Sequence, residues 1–162
     1  MVVVFKMHTN NLLVILPFLS SVLDLVSPEQ GIGDAHLIGQ LPFMPGPFPS
    51  KTYSGFIDIS SEKSIHYALT ESEYSPESDP LIIWYSGGPG CSSMLGLFTE
   101  VGPFTIQDEA TEFTRNEYAW NKKANVLYID QPAGTGYSIG RTEQALHSSD
   151  TQSASDNLLV LL

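Results

Sequence analysis

Basic side chains are scarce in this chain: seven Lys and Arg stand against eighteen Asp and Glu, for a formal net charge of −11. Phosphate backbones are gripped by clustered Lys and Arg, and no segment here supplies such a cluster, so nucleic acid is not expected as a partner. Cysteine is rarer still. Cys91 stands alone, which implies a free thiol or a partner located elsewhere. None of the four histidines (His8, His36, His66 and His147) has metal-ligand spacing to another, and no phosphate-cradling glycine loop is present. Neither metal nor cofactor is expected. No N-x-S/T triplet occurs, so these residues are not expected to carry N-linked glycans. The longest apolar run, Leu12 to Val26, is broken by Pro17, Ser20, Ser21 and Asp24, and it falls short of the ~20 apolar residues a membrane span needs.

That run has a different reading. Lys6 and His8 precede it and small residues follow it, the order of a secretory signal peptide. Residues 1–26 are therefore expected to be a signal, cut between Ser20 and Gly33, with an uncleaved anchor as the alternative and no membrane attachment after cleavage. The remainder is globular in composition: 42% hydrophobic and 15% charged over 162 residues, enough for one domain with a core. The 13 Gly and 11 Pro fall in short turn-like groups. The acidity suits an acidic compartment or the cell exterior, and serves solubility equally well.

Along the chain, Leu41 to Ser50 holds four prolines and is expected to run extended over a surface. Tyr53 to Ile59 and Ser64 to Leu69 alternate apolar and polar residues, and with Ser60 to Lys63 as the turn they predict an antiparallel hairpin. Leu81 to Tyr85 is an unbroken apolar run, the pattern of a strand buried on both faces, and Asn125 to Ile129 reads as a second buried strand. Ser92 and Ser93 are placed to cap a helix over Met94 to Glu100, ended by Gly102-Pro103. A last helix is predicted from Ser149-Asp150 through Leu162.

The most specific segment is Trp84-Tyr85-Ser86-Gly87-Gly88-Pro89-Gly90-Cys91-Ser92-Ser93. A buried strand delivers a glycine turn whose backbone can approach a ligand, and N–H groups exposed there can stabilise an oxyanion. A tight strand-to-helix connection with no ligand is the alternative on local grounds. Gly136-Tyr137-Ser138-Ile139-Gly140 fits the G-x-S-x-G pattern of a nucleophile elbow, but that elbow needs a strand running straight into the serine and a helix leaving it. Here the strand ends near Ile129, Pro132 intervenes, and no helix pattern follows until Ser149. Ser138 is not expected to be a nucleophile, and the histidines read as structural or surface residues.

The string WYSGGPGCSS resembles the W-x-N-G-G-P-G-C-S-S signature of serine carboxypeptidases, which are α/β-hydrolases. YSGFIDI and IHYAL before it, and GLFTEVGPF and NEYAWNKKANVLYIDQPAGTGYS after it, are similar to the family in the same order, so the likeness spans roughly residues 38 to 162. It implies an α/β fold, the N-terminal part of an α/β-hydrolase domain over residues 35–162 with an incomplete sheet. It implies that Gly88 contributes an oxyanion-hole N–H. It implies that Glu100, with Ser86 and Gly87, belongs to the group recognising a peptide's C-terminal carboxylate. Trp84 either lines the binding site or serves as a buried aromatic of the core, and Leu95 is a candidate for lining the pocket of the released residue. Such a carboxylate network works only while it shares a proton, hence an expectation of activity at acidic pH. The family signature carries Asn where this chain has Ser86, and a hydroxyl lacks the amide's paired donors. Cys91 matches a cysteine bonded in the family to a partner far downstream.

The resemblance places the nucleophile in a later G-E-S-Y-A-G string, which these residues do not contain, and the rest of the triad later still. The chain therefore reads as an N-terminal portion that is inactive alone, with peptide C-termini as partners of the whole enzyme. Its compartment is expected to be the secretory pathway, leading outside the cell or to lysosome or vacuole. A secreted non-catalytic peptide binder and a carboxypeptidase-like acyltransferase are the alternatives.

Overall fold

The computed structural model describes the backbone of residues 2–5, and residues 35–106 and 111–162. Most of the expected signal segment lies outside the described residues. The strands are β1 (Val2–Phe5), β2 (Leu37–Ile38), β3 (Thr52–Asp58), β4 (Lys63–Thr70), β5 (Leu81–Trp84), β6 (Phe104–Thr105), β7 (Thr114–Arg115), β8 (Asn125–Ile129) and β9 (Ile139–Gly140). Among the described residues the α-helices are α1 (Glu143–Leu146) and α2 (Asp150–Leu161).

The alternating segments form the predicted antiparallel hairpin, β3 with β4, in register from Thr52↔Thr70 to Asp58↔Ser64. Its turn is closed by Ser60, whose Oγ accepts from the N–H groups of Glu62 and Lys63. The two apolar runs become β5 and β8, paired parallel, and β8 also pairs antiparallel with β4. The sheet order is β1-β5-β8-β4-β3-β2, with β9 added against the start of β4. β8 is central, and its side chains go to both faces. Val126 and Tyr128 pack with Ala68, Leu97 and Val101 on one face. Ile129 packs with Ile65, Ile83, Tyr85 and Val160 on the other. Each such burial contributes about 1.5–3 kcal/mol before conformational entropy is subtracted, which is why these runs carry no polar interruption. The result is a mixed sheet with a helix on either side.

The helix after the glycine turn forms as predicted but widens into a π-helical turn at Gly96–Glu100, where Val101 N–H donates to Gly96 O at 2.9 Å. Residues 41–50 do not run extended: they bend repeatedly, because Met44 and Phe48 leave the surface to pack with Phe104. α2 starts where expected, with Ser149 Oγ accepting from Gln152 N–H. The β6–β7 ribbon, β9 and α1, each four residues or fewer, have no counterpart in the sequence reading. Among the described residues no helix is long and apolar enough to cross a membrane.

Candidate active site

β5 leaves the sheet through Tyr85 and delivers the segment Ser86–Ser93. Gly88 and Gly90 adopt φ values of +135° and +104°, which L side chains rarely tolerate. Gly88 is also crowded: a Cβ there would lie 3.1 Å from Gly90 N and 3.3 Å from Cys91 N. The backbone is thereby folded back on itself, with two further N–H groups beside Gly88.

This turn is pinned at its base. Ser93 Oγ accepts from Ser86 N–H at 3.1 Å and donates to Ile129 O at 2.6 Å. Ser92 Oγ–H and Ser93 N–H both donate to Asp130 Oδ1 at 2.7 Å. Asp130 follows β8 directly and has no exposed surface. Its Oδ2 accepts from Tyr137 N–H at 3.1 Å and faces His66 Nδ1 at 3.0 Å. Burial alone would raise the Asp130 pKa; the hydrogen bonds from His66, Tyr137, Ser92 and Ser93 outweigh it and hold the carboxyl below its ordinary range. An ionised carboxylate only accepts, so Nδ1 of His66 carries a proton, and in the neutral imidazole Nε2 is then the acceptor for Ser54 Oγ–H at 2.8 Å. The loop carrying Tyr137 comes this close because residue 136 is glycine: a Cβ there would lie 2.3 Å from Asp130 Oδ2.

Ser138, the serine of the G-x-S-x-G match, is buried. Its hydroxyl donates to Asp130 O at 2.6 Å and accepts from His66 N–H at 2.8 Å, so it ties backbone segments together on both sides.

Beside the glycine turn lies a cleft of about 480 Å³. Tyr85 to Pro89, Gln131 and Pro132 form one wall, and Ser148 to Asp150 with Ser153, Ala154 and Asn157 of α2 form the other. It opens at the carboxyl ends of β5 and β8, where open α/β sheets place their ligands. Of the residues singled out from sequence, Ser86, Gly87 and Gly88 line this cleft. Trp84, Leu95, Glu100 and Cys91 are not among its lining residues. Trp84 packs edge-on against Trp120 with ring centroids 5.6 Å apart, and its indole N–H donates to Ser86 Oγ at 3.2 Å. Leu95 and Glu100 lie exposed on the helix that follows, and Cys91 is an exposed free thiol. Asp130, His66, Ser92 and Ser93, which hold the turn in place, were not singled out as site residues. The available signal was an acidic residue at the carboxyl end of a buried strand.

Comparison with known proteins shows which proteins this chain is similar to. The serine carboxypeptidase family pattern matches residues 42–162. Serine carboxypeptidase ctsa-3.1 of Caenorhabditis elegans is 44% identical over 132 residues, covering 80% of this chain and 23% of the relative. The lysosomal protective protein of Mus musculus is 40% identical over 136 residues, covering 84% of this chain and 28% of the relative. The crystal structure of the prohormone-processing carboxypeptidase Kex1(delta)p from Saccharomyces cerevisiae superposes with a TM-score of 0.63 at 24% identity, covering 78% of this chain and 31% of the other. That likeness is one of fold, the α/β-hydrolase arrangement. The chain spans 23% to 34% of the length of such curated relatives.

Proposed function

Because the chain belongs to the serine carboxypeptidase family, we propose that the protein containing it releases C-terminal residues from peptides through an acyl-enzyme. In this reading the Gly88 N–H stabilises the oxyanion. Ser86 and Glu100, with Gly87, Trp84 and Leu95, form the recognition side for the substrate's terminal residue. The nucleophile, acid and base come from residues beyond this chain, and Cys91 pairs with a cysteine there. The compartment is the secretory pathway, with lysosome or vacuole as its acidic end.

The observation that carries the reading is the glycine turn, tied at its base to Asp130 and opening on a cleft. An oxyanion donor accelerates acyl transfer only when it is fixed before the reaction, and one such donor contributes roughly 10²–10³ in rate. Ser93, Ser92 and Asp130 supply that fixation.

The test uses the whole protein and two N-blocked peptides, one with a free C-terminus and one amidated. Release of the terminal residue from the free acid alone, faster in acidic than in neutral buffer, is the expected result. Glu100→Gln is expected to raise KM, and a side chain at Gly88 to lower kcat by about 10²-fold. Absence of release from either peptide at any pH would remove the proposal.

Ser86 favours a second reading. Its hydroxyl already accepts from Trp84, so it offers a carboxylate one donor where an amide offers two. A protein that holds peptide C-termini without cleaving them would show saturable binding, weakened by amidation, and no release.

A further inference from the structure

On the face of the sheet covered by the Gly96–Glu100 helix, a second cavity of about 270 Å³ is walled mainly by apolar side chains, among them Phe48, Leu97 and Phe98. Its polar lining includes Ser54, His66 and Thr52. Ser54 projects from β3 and His66 from the paired strand β4, and Ser54 Oγ lies 2.8 Å from His66 Nε2. The other ring nitrogen lies 3.0 Å from the fully buried Asp130 carboxylate. Hydroxyl, imidazole and carboxylate are thus hydrogen-bonded in the order that activates a serine: the carboxylate fixes the tautomer, and the free nitrogen faces the hydroxyl proton.

The ring is also held on its flanks. Phe56 and Tyr137 contact it with centroids 5.3 Å and 5.0 Å away. The apolar walls lower the local dielectric and strengthen each polar contact.

We propose that Ser54 is an activated nucleophile, a covalent modification site for small apolar acyl or phosphonyl electrophiles, with His66 as its base and Asp130 orienting that base. With a fluorophosphonate, Ser54 Oγ forms a bond to phosphorus, the P–F bond breaks and fluoride leaves, and the hydroxyl proton passes to His66 Nε2. With an ester, the Oγ–carbonyl bond forms, the alcohol leaves, and His66 returns the proton to it. The size of the cavity selects a short alkyl or single aryl group. The site shares Asp130 with the glycine turn but does not rest on the carboxypeptidase reading, whose nucleophile lies elsewhere.

The experiment treats the whole protein with a small aryl fluorophosphonate, digests it with trypsin and maps the label by tandem mass spectrometry. Ser54 falls in the peptide Thr52–Lys63, together with Ser60 and Ser61, which are exposed in the hairpin turn and serve as internal controls. The expected result is label on Ser54 and not on Ser60 or Ser61, lost when the protein is denatured before treatment. His66→Phe, with its fold checked by near-UV circular dichroism, is expected to slow labelling by about 10²-fold or more, the scale of a lost general base. Native protein that leaves Ser54 unmodified overturns the proposal, and label confined to a serine beyond this chain does so while supporting the carboxypeptidase reading. Equal labelling rates in wild type and folded His66→Phe overturn the activation. Should His66→Phe fail to fold, the native-against-denatured comparison decides alone.

Discussion

Asp130 is a charge without exposed surface, and its two oxygens are matched by four donors from three separate segments. Removing that charge leaves donors facing an amide that can accept at one atom only. Asp130→Asn is expected to lower unfolding free energy by about 3 kcal/mol, the scale for breaking a buried charged network, read as a shift of the urea midpoint. The pH dependence has a definite sign. Because the folded carboxyl lies below its ordinary range, its contribution is complete above the unfolded pKa of about 3.9 and is lost as pH falls towards the folded value. The difference in stability between wild type and Asp130→Asn is therefore expected to be flat from neutral pH down to about 4 and to shrink below it. A gap that stays constant through strong acid would mean that the carboxylate charge is not what holds the loops. None of this was legible residue by residue. Asp130-Gln131-Pro132 reads as a turn closing a strand, and His66 reads as one more position in an alternating strand. Only the antiparallel register of β4 on β8, with Tyr67 opposite Ile129, sets His66 against Asp130.

At the scale of elements, the long periodic segments were legible because burial dictates their pattern. The β3–β4 hairpin alternates because one face of it is wetter, and β5 and β8 are unbroken because neither face is. The course of the proline-rich stretch is not legible in the sequence, because proline restricts local geometry without saying whether Met44 and Phe48 find apolar partners. The two-residue strands β6, β7 and β9 carry too few residues to show a period at all. α2 is a different case. It was predicted from its cap and its leucines, yet it is held to the body chiefly by polar contacts, since only Asp156 and Val160 are buried in it. Asp156 Oδ2 meets Lys63 Nζ at 2.6 Å, and its Oδ1 accepts from Gln152 Nε2 at 2.9 Å. That pair joins α2, which walls the cleft, to the start of β4. Asp156→Leu alone strands the Lys63 ammonium in a site only 13% exposed and is expected to cost about 2–4 kcal/mol, whereas Lys63→Met with Asp156→Leu should come within about 1 kcal/mol of wild type. The four corners of this cycle are read by denaturant unfolding. A double variant as unstable as the single would show that the ion pair itself holds the helix.

The whole chain combines a charge of −11 with a broad apolar face. Leu158, Leu159, Leu161 and Leu162 on and after α2 are 40% to 93% exposed, neighbouring side chains on one short stretch rather than scattered ones. The two features oppose each other when this 162-residue chain is prepared by itself. Repulsion among the acidic side chains acts over a Debye length, about 8 Å at physiological salt and about 3 Å at 1 M. Burying apolar surface gains about 25 cal/mol per Å² at contact and is not weakened by salt. The short-range term therefore prevails, and it prevails more as salt rises. Sedimentation velocity is expected to show the isolated chain self-associating, with the associated fraction growing from low to high NaCl, and Leu158→Glu with Leu162→Lys shifting it towards monomer. A monomer at every salt concentration that melts in one cooperative transition would show instead that this face is not sticky. Association that salt disperses would assign the contact to charge, because only a contact between apolar faces strengthens as the repulsion between acidic chains is screened away.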